Sequence, residues 1–315
     1  MQSNIFQHKL GEFYQKDYLN QIKHTLLIFA TLFAFAGCTD ENNSLPKEGT
    51  LSLLTYNVAG LPEGFSSSSP EKNTPLISPL LNNFDVVNVQ EDFFYHNELV
   101  KDVKHPHQSK YEAKISLGDG LNTFSKIPFR SFKRVQWNDC NGSDCFTPKG
   151  FTYCQLLLAP NIYVDLYNVH TNAGVAPENL AARRSNISQL NDFILRNSRG
   201  NAVIIMGDLN VRYTRIGDNI RTLLKSENKM QDVWVELIRE NSLPNQDDVA
   251  LTNCGGADTN PQCEVVDKVL YRSSKFITLT PVEYQVKTNE FLDEDGNWLS
   301  DHRPIFASFR YTFLR

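Results

Sequence analysis

Six short stretches concentrate the side chains able to move protons or hold a hard cation. They are TYN at 55–57, VQE at 89–91, NVH at 168–170, GDLN at 207–210, VVDKVLY at 265–271 and SDHRP at 300–304. Between them they supply Glu91, Asp208, Asp267 and Asp301, the imidazoles of His170 and His302, and the carboxamides of Asn57 and Asn210. Carboxylate oxygens suit hard divalent ions. An imidazole is the side chain best placed to take a proton near neutral pH. Taken singly, each stretch is ordinary turn chemistry, because Asn and Asp bond to nearby backbone. Their position sets them apart. LLTYN, VVNVQE, LYNVH and VIIMGDLN each close an apolar run, and SDH opens one. Strands of one sheet bring their tips to one edge, where loops form a site on a rigid base. Such a set can hold a cation and activate a water.

The elements that must carry these tips are legible in outline. LSLLTYNVAGLP predicts a buried strand at the start of the domain. DVVNVQED (85–92), GDGLNTFSK, FKRVQW, FTYCQLLL, NIYVDLYNVH, NAVIIMGDLN, VDKVLYR and HRPIFASFRYTF predict further strands. Residues 176–198 place Leu180, Ile187, Leu190 and Ile194 at helical spacing behind Pro177 and Glu178, which predicts a long helix. A second helix is expected over 93–104 and a short one in PLISPLLNNF. Residues 64–75 read as a mobile loop, and Asp139 to Pro148 as a loop containing Cys, Gly and Asn. No internal repeat and no second domain are indicated.

Residues 1–37 stand apart. Lys9, Lys16 and Lys23 precede the apolar run HTLLIFATLFAFAGC, the pattern of a secretory signal. Its end, Phe35-Ala36-Gly37-Cys38, resembles a bacterial lipobox, which would make Cys38 the acylated N-terminus of a membrane-anchored lipoprotein. A plain secretory signal and an uncleaved anchor are the alternatives. The run is shorter than the roughly 20 residues of a spanning helix. Residues 38–49 then read as a polar tether and 50–315 as one catalytic domain.

The formal net charge is −5, and it stays negative without residues 1–37, which counts against non-specific binding of phosphate backbones. With 41% hydrophobic and 21% charged residues the chain suits a sizeable core. In an exported chain, the short spacings of Cys140 with Cys145 and of Cys254 with Cys263 predict two disulfides. Cys154 reads as a buried free thiol. No CxxC, glycine-rich phosphate loop or GxSxG occurs, so zinc, P-loop and serine-hydrolase chemistries lack support. His96, His105 and His107 are expected in solvated or capping roles, and His8 and His24 precede the domain.

In their order, the six stretches resemble the motifs of the endonuclease/exonuclease/phosphatase superfamily of metal-dependent phosphoesterases, over about residues 50–312. The resemblance implies an α/β fold, a four-layer α/β/β/α sandwich of two mostly antiparallel sheets flanked by helices. It implies that Glu91, helped by Asn57, binds a divalent cation, Mg²⁺ with Mn²⁺ or Ca²⁺ able to take its place. His302 would be the general base and Asp267 the partner that fixes its tautomer. His170 and Asn210 would donate to the phosphate oxygens. Asp208 would position the nucleophile or help protonate the leaving oxygen. Asp301 would be a second metal ligand or a partner of His170.

CNGSDCFTPKGFTYCQL (140–156) and TYNVAGLP resemble segments of the secreted neutral sphingomyelinases. That branch implies a phospholipid head group as substrate, met at a membrane surface, with Lys149 as a point charge beside the phosphate. A tight turn at Lys149-Gly150 is the bland alternative. Arg183, Arg184, Arg212 and Arg215 could read phosphate groups, Arg212 being the expected substrate contact, or could simply pair with acids. The expectation is an exported, monomeric, metal-dependent phosphodiesterase of the sphingomyelinase or phospholipase C kind. An exported nuclease acting on nucleic acid, an inositol-phosphate phosphatase and a silent binding module are the alternatives.

Overall fold

The computed structural model describes residues 48–66, 68–112, 117–252 and 260–314. The expected signal, Cys38 and Cys254 lie outside these residues. The apolar runs form β1 (Glu48–Asn57), β2 (Val86–Gln90), β3 (His107–Gln108), β4 (Asn122–Ser125), β5 (Phe129–Gln136), β6 (Gly150–Ala159), β7 (Ile162–His170), β8 (Ala202–Asp208), β9 (Gln231–Asp232), β10 (Asp267–Arg272), β11 (Ile277–Val286) and β12 (Ile305–Phe313). The helices are α1 (Pro70–Leu80), α2 (His96–Val100), α3 (Pro177–Asn197), α4 (Arg221–Lys225) and α5 (Val233–Leu237).

Two six-stranded sheets result, ordered β11-β12-β1-β2-β4-β3 and β5-β6-β7-β8-β10-β9. Each is antiparallel except for one pair, β1 with β2 in the first and β7 with β8 in the second. A parallel pair cannot be joined by a tight hairpin and needs a crossover. Here α1 connects β1 to β2, and α3 connects β7 to β8. Each crossover helix then covers the outer face of its own sheet. Ile77 of α1 packs with Leu54, Tyr56, Val87 and Val89. Ile187, Leu190 and Ile194 of α3 join the larger core, and Phe193 meets Phe151 edge to face at 5.0 Å. The layers are therefore those of an α/β/β/α sandwich. Burying each such Leu or Ile contributes about 1.5–3 kcal/mol. Both cores lie within Pro46–Arg315, which forms one compact unit. Among the described residues no helix is long and apolar enough to cross a membrane.

The short elements β3, β9, α4 and α5 were not expected, and three larger segments depart from the sequence reading. The segment expected as a loop over 64–75 becomes helical at Pro70, and α1 continues through Pro75 and Pro79. An interior proline costs a helix about 3 kcal/mol. Burial of Ile77, and the buried Asn73 amide donating to Leu299 O at 3.1 Å, offset that cost. The helix expected over 93–104 is confined to α2. Asn82 captures the following backbone instead, donating to Asp102 O at 2.8 Å and accepting from Lys104 N at 2.7 Å. Strand β11 was not predicted, because Pro281 argues against a central strand. It lies at a sheet edge, with a register shift between Pro281 and Glu283. His105 is buried rather than solvated, its Nε2 2.9 Å from Phe84 O.

The Cys140–Cys145 disulfide forms, and Cys154 is a buried free thiol. Cys263 is disulfide-bonded as well.

Candidate active site

Both parallel pairs finish at one edge. Asn57 and Gln90 are register partners at the ends of β1 and β2, as are His170 and Asp208 at the ends of β7 and β8. Strands β10 and β12 begin there, with Asp267 opposite Asp208 and Ile305 opposite Thr55. Successive side chains of a strand point to opposite faces. The inward row therefore changes character along each strand, from Leu51 and Leu53 to Thr55 and Asn57 on β1, and from Leu166 to Asn168 and His170 on β7. Just beneath the site, Gln90 Nε2 donates to Asn168 Oδ1 at 2.8 Å, and Asn168 Nδ2 donates to Val89 O at 2.9 Å. These bonds tie one sheet to the other at the depth where the core turns polar.

Asp208 is the hub. Its Oδ2 accepts from Asn57 Nδ2 at 3.2 Å and lies 3.3 Å from His170 Nε2 and 3.6 Å from His302 Nε2. Its Oδ1 accepts from the Asn210 backbone N–H at 2.9 Å. On the far side of the His302 ring, Nδ1 stands 3.1 Å from Asp267 Oδ2. Glu91 adopts a left-handed φ of 57°, which turns its carboxylate back toward the cluster. There it accepts from Asn57 Nδ2 at 3.0 Å and lies 3.8 Å from His170 Nε2. The expected residues Asn57, Glu91, His170, Asp208, Asn210, Asp267 and His302 are thus assembled from both sheets.

Electrostatics reinforce this arrangement. Burial alone would raise the Asp208 carboxyl, but His302, His170 and Lys149 hold it well below the usual carboxylate range. Burial pushes the His302 imidazole down, yet Asp267 and Asp208 outweigh it and raise His302 well above its ordinary 6.5. The donor set fits a hard divalent ion. Glu91 is partly open at the mouth, and the ligand atoms of Asp208, Asp267 and His302 lie within 4.8 Å of one another. Asn57 acts on Glu91 by donating, because its Oδ1 is taken by the Ala59 N–H at 3.0 Å. A direct bond from that oxygen to an ion requires the amide to turn over.

The remaining expected residues fall in three places. Lys149 is buried beside the site, its Nζ 2.7 Å from Asp144 Oδ1. Arg212 bonds through its guanidinium to the Glu264 carbonyl, so part of its donor capacity is spent within the protein. Asp301 is exposed and adds its charge to the field on His302. It is not the hydrogen-bond partner of His170, whose Nε2 faces Asp208 and Glu91 and whose buried Nδ1 has no partner. Arg183 and Arg215 bond to Asp218, and Arg184 bonds to Gly217 O. They staple the loop after β8, Arg183 and Arg215 by pairing with an acid and Arg184 through a backbone carbonyl.

Two residues escaped the sequence reading. Ser300 Oγ donates to Asn57 O at 2.7 Å and accepts from His302 N at 3.1 Å, linking the start of β12 to the end of β1. Asp144 holds Lys149 and also accepts from Ala173 N. Each sits beside a residue already singled out, one before Asp301 and one before Cys145, which was the available signal.

The sequence profile of Endonuclease/Exonuclease/phosphatase family 2 matches residues 76–253, more than half of the chain. The chain belongs to the endonuclease/exonuclease/phosphatase family. Over 293 residues it is 37% identical to a sphingomyelinase of Mycobacterium tuberculosis, a match that covers 90% of this chain and 56% of that protein. The chain thus spans little more than half the length of that relative. Among solved structures, a Staphylococcus aureus beta toxin mutant with bound magnesium ions superposes with a TM-score of 0.56 at 18% identity, over 85% of this chain and 100% of that one. TDP2 from D. rerio, complexed with a single-strand DNA product, gives a TM-score of 0.56 at 18% identity, over 83% and 99%. Both likenesses bear on the fold.

Proposed function

We propose that the chain is a divalent-metal-dependent phosphodiesterase acting on sphingomyelin or a related choline phospholipid. One observation carries this reading. A general-base candidate oriented by one carboxylate (His302 by Asp267) faces a second carboxylate (Asp208) that is bonded through Asn57 to a third, partly open one (Glu91). The 37% identity to a sphingomyelinase supports the choice of substrate.

The residues divide the work as follows. Glu91, with Asn57 orienting it, would hold the cation, for which Mg²⁺ is the first candidate and Mn²⁺ or Ca²⁺ substitutes. The bound ion would supply positive charge for the phosphoryl oxygens. His302 accepts the proton of the attacking water at Nε2, while Asp267 fixes the ring from the Nδ1 side. His170 donates from Nε2 and the Asn210 amide lies at the same rim, both suited to charge developing on the phosphoryl group. Lys149 adds a positive charge to the same field, held by Asp144. Export through residues 1–37, with lipid attachment at Cys38 and a monomeric working form, belongs to the same reading and rests on the sequence.

The test offers sphingomyelin and phosphatidylcholine vesicles beside duplex DNA, with Mg²⁺ or with chelator. The His302→Ala variant is the control. Release of phosphocholine that needs both Mg²⁺ and His302 is the expected result. DNA strand scission without phosphocholine release would replace the lipid reading with a nuclease. Neither activity would send the search toward soluble phosphomonoesters.

A further inference from the structure

Asp92 directly follows the ion-ligand candidate Glu91, yet its carboxylate is buried and takes its partners from outside the catalytic cluster. Its Oδ2 stands 2.6 Å from His96 Nδ1 and accepts from Asn122 Nδ2 at 2.8 Å. A carboxylate accepts, so the imidazole donates from Nδ1. The His96 ring lies flat on Tyr111, with centroids 3.8 Å apart and planes 6° from parallel. Tyr111 closes the group by donating from its hydroxyl to Phe93 O at 2.5 Å. Backbone bonds hold the same turn. Asp92 N donates to Gly120 O at 3.0 Å, and Phe93 N donates to Glu91 O at 2.8 Å. His96, expected to be solvated or capping, is instead largely buried in this group.

Burying a carboxylate is costly unless it is bonded, and an apolar residue would serve packing at least as well. What the turn gains is fixed geometry. Glu91 holds a left-handed φ of 57°, which persists in a residue other than glycine where the surroundings over-determine it. The group around Asp92 supplies that constraint from the far side, while Asn57 holds the Glu91 carboxylate from the site side at 3.0 Å. We infer that Asp92, His96 and Tyr111 are positioning residues for the divalent cation. They aim Glu91, and so set the affinity of the site for the ion rather than the rate of the chemistry. The inference rests on Glu91 as the ion ligand and extends that role to the residues behind it. Partners standing behind metal ligands commonly change metal affinity by about 10–100-fold when removed. Asn122 carries the support further. Its Oδ1 accepts from Ser109 Oγ at 3.0 Å, which orients its amide toward Asp92. Its backbone O accepts at 3.1 Å from the Nδ2 of Asn168, on the strand that ends in His170. The ion ligand and a phosphate donor thereby share one support.

The experiment measures Mg²⁺ binding to the full chain by calorimetry, with no substrate present. Hydrolysis of soluble p-nitrophenyl phosphocholine is measured separately at saturating Mg²⁺. His96→Ala should bind Mg²⁺ about tenfold more weakly, while its rate at saturating Mg²⁺ stays within about twofold of the unsubstituted chain. His96→Asn, whose amide can donate from near the position of Nδ1, should recover most of the binding. His105→Ala is the control. His105 is also buried, but it bonds Phe84 O before the start of β2, at the opposite end of that strand from Glu91. Its loss should lower the melting temperature in chelator and leave Mg²⁺ binding unchanged. Should His96→Ala fail to fold, Tyr111→Phe, which loses only the hydroxyl bonded to Phe93 O, should weaken Mg²⁺ binding in the same direction. Unchanged Mg²⁺ affinity in whichever of these two variants is folded overturns the inference. An equal loss in His105→Ala overturns it as well, since that marks general loosening. So does a His96→Asn variant no better than His96→Ala, which removes the bond to Asp92 from the account. If the binding shifts appear but no protein cleaves the phosphocholine ester, the positioning role stands and the substrate assignment falls. If the unsubstituted chain binds no Mg²⁺, the role of Glu91 falls and the inference falls with it.

Discussion

His302 Nδ1 stands 3.1 Å from Asp267 Oδ2, an oxygen buried at the start of β10. The contact leaves Nε2 as the nitrogen facing Asp208, hence the one available to a water. Asp267→Asn keeps a polar group in place but removes the charge that fixes the tautomer. We expect kcat/KM to fall by about 10²–10⁴. The acid limb of the pH–rate profile should also move to lower pH, because Asp267 is a main cause of the raised His302 pKa. A limb that stays put in this variant would remove His302 as the titrating base.

The same two shifts shape stability. Protonated His302 has a folded pKa above its ordinary 6.5, so its contribution is complete below about 6.5 and is lost as pH rises through the raised value. Asp208 has a folded pKa below its ordinary 3.8, so its contribution is present above that value and is lost as pH falls through the depressed one. With chelator present, urea stability should decline as pH rises above about 6.5 in the unsubstituted protein and decline less in His302→Ala. Parallel curves for the two proteins would show that the imidazole is not coupled to folding.

Gly60 lies where a side chain would collide with the Glu91 loop. A Cβ at Gly60 would sit 2.4 Å from Glu91 O, the atom that accepts from Gly60 N at 3.0 Å and from Phe93 N at 2.8 Å. The left-handed φ of Glu91 depends on those bonds, and relieving the clash means moving the backbone that aims the carboxylate. Gly60→Ala should raise the Mg²⁺ concentration for half-maximal activity by about tenfold, as supporting groups around ion ligands commonly do. It should leave the maximal rate at saturating Mg²⁺ far less affected. A fall in maximal rate with unchanged Mg²⁺ dependence would separate Glu91 from the ion.

Much of this site was legible because its signal is short-range. An apolar run ending in Asn, Glu, His or Asp records a strand whose inward row leaves the core, and period two places Asn168 and His170 on one face. Less local features were not legible. The partner that draws Arg212 away, the Glu264 carbonyl, is 52 residues distant. The first half of α1, residues 70–74, was hidden in a stretch that reads as loop, since the compensating burial of Ile77 and the Asn73 bond to Leu299 exist only in the assembled fold. Strand β11 was hidden by Pro281, which local rules disfavour and an edge position tolerates. Ser300 lies within SDHRP, but its role, joining β12 to a backbone oxygen 243 residues away, leaves no local signature.

The carboxylate of Asp218, in the loop after β8, is shielded from solvent. Its Oδ1 accepts from Arg183 Nε at 2.9 Å, and its Oδ2 accepts from Arg212 N at 2.9 Å and from Arg215 Nη1 at 3.0 Å. Arg183 is itself fully buried and donates from Nη1 to Asn172 O and Gly174 O at 2.8 Å. The pair thereby clamps the loop after β7 to the loop after β8, and so His170 to Asn210. Removing one member of a buried pair leaves the other uncompensated, at a cost of about 3–5 kcal/mol. Asp218→Ala should therefore destabilise the protein by about that amount. Combining it with Arg183→Met should recover part of the loss, because no buried charge then remains unpaired. Urea titrations of the two single variants and the double would measure the coupling. If the losses simply add, the clamp is not a charge pair in energetic terms, and the loops are held by the backbone contacts of Arg183 alone.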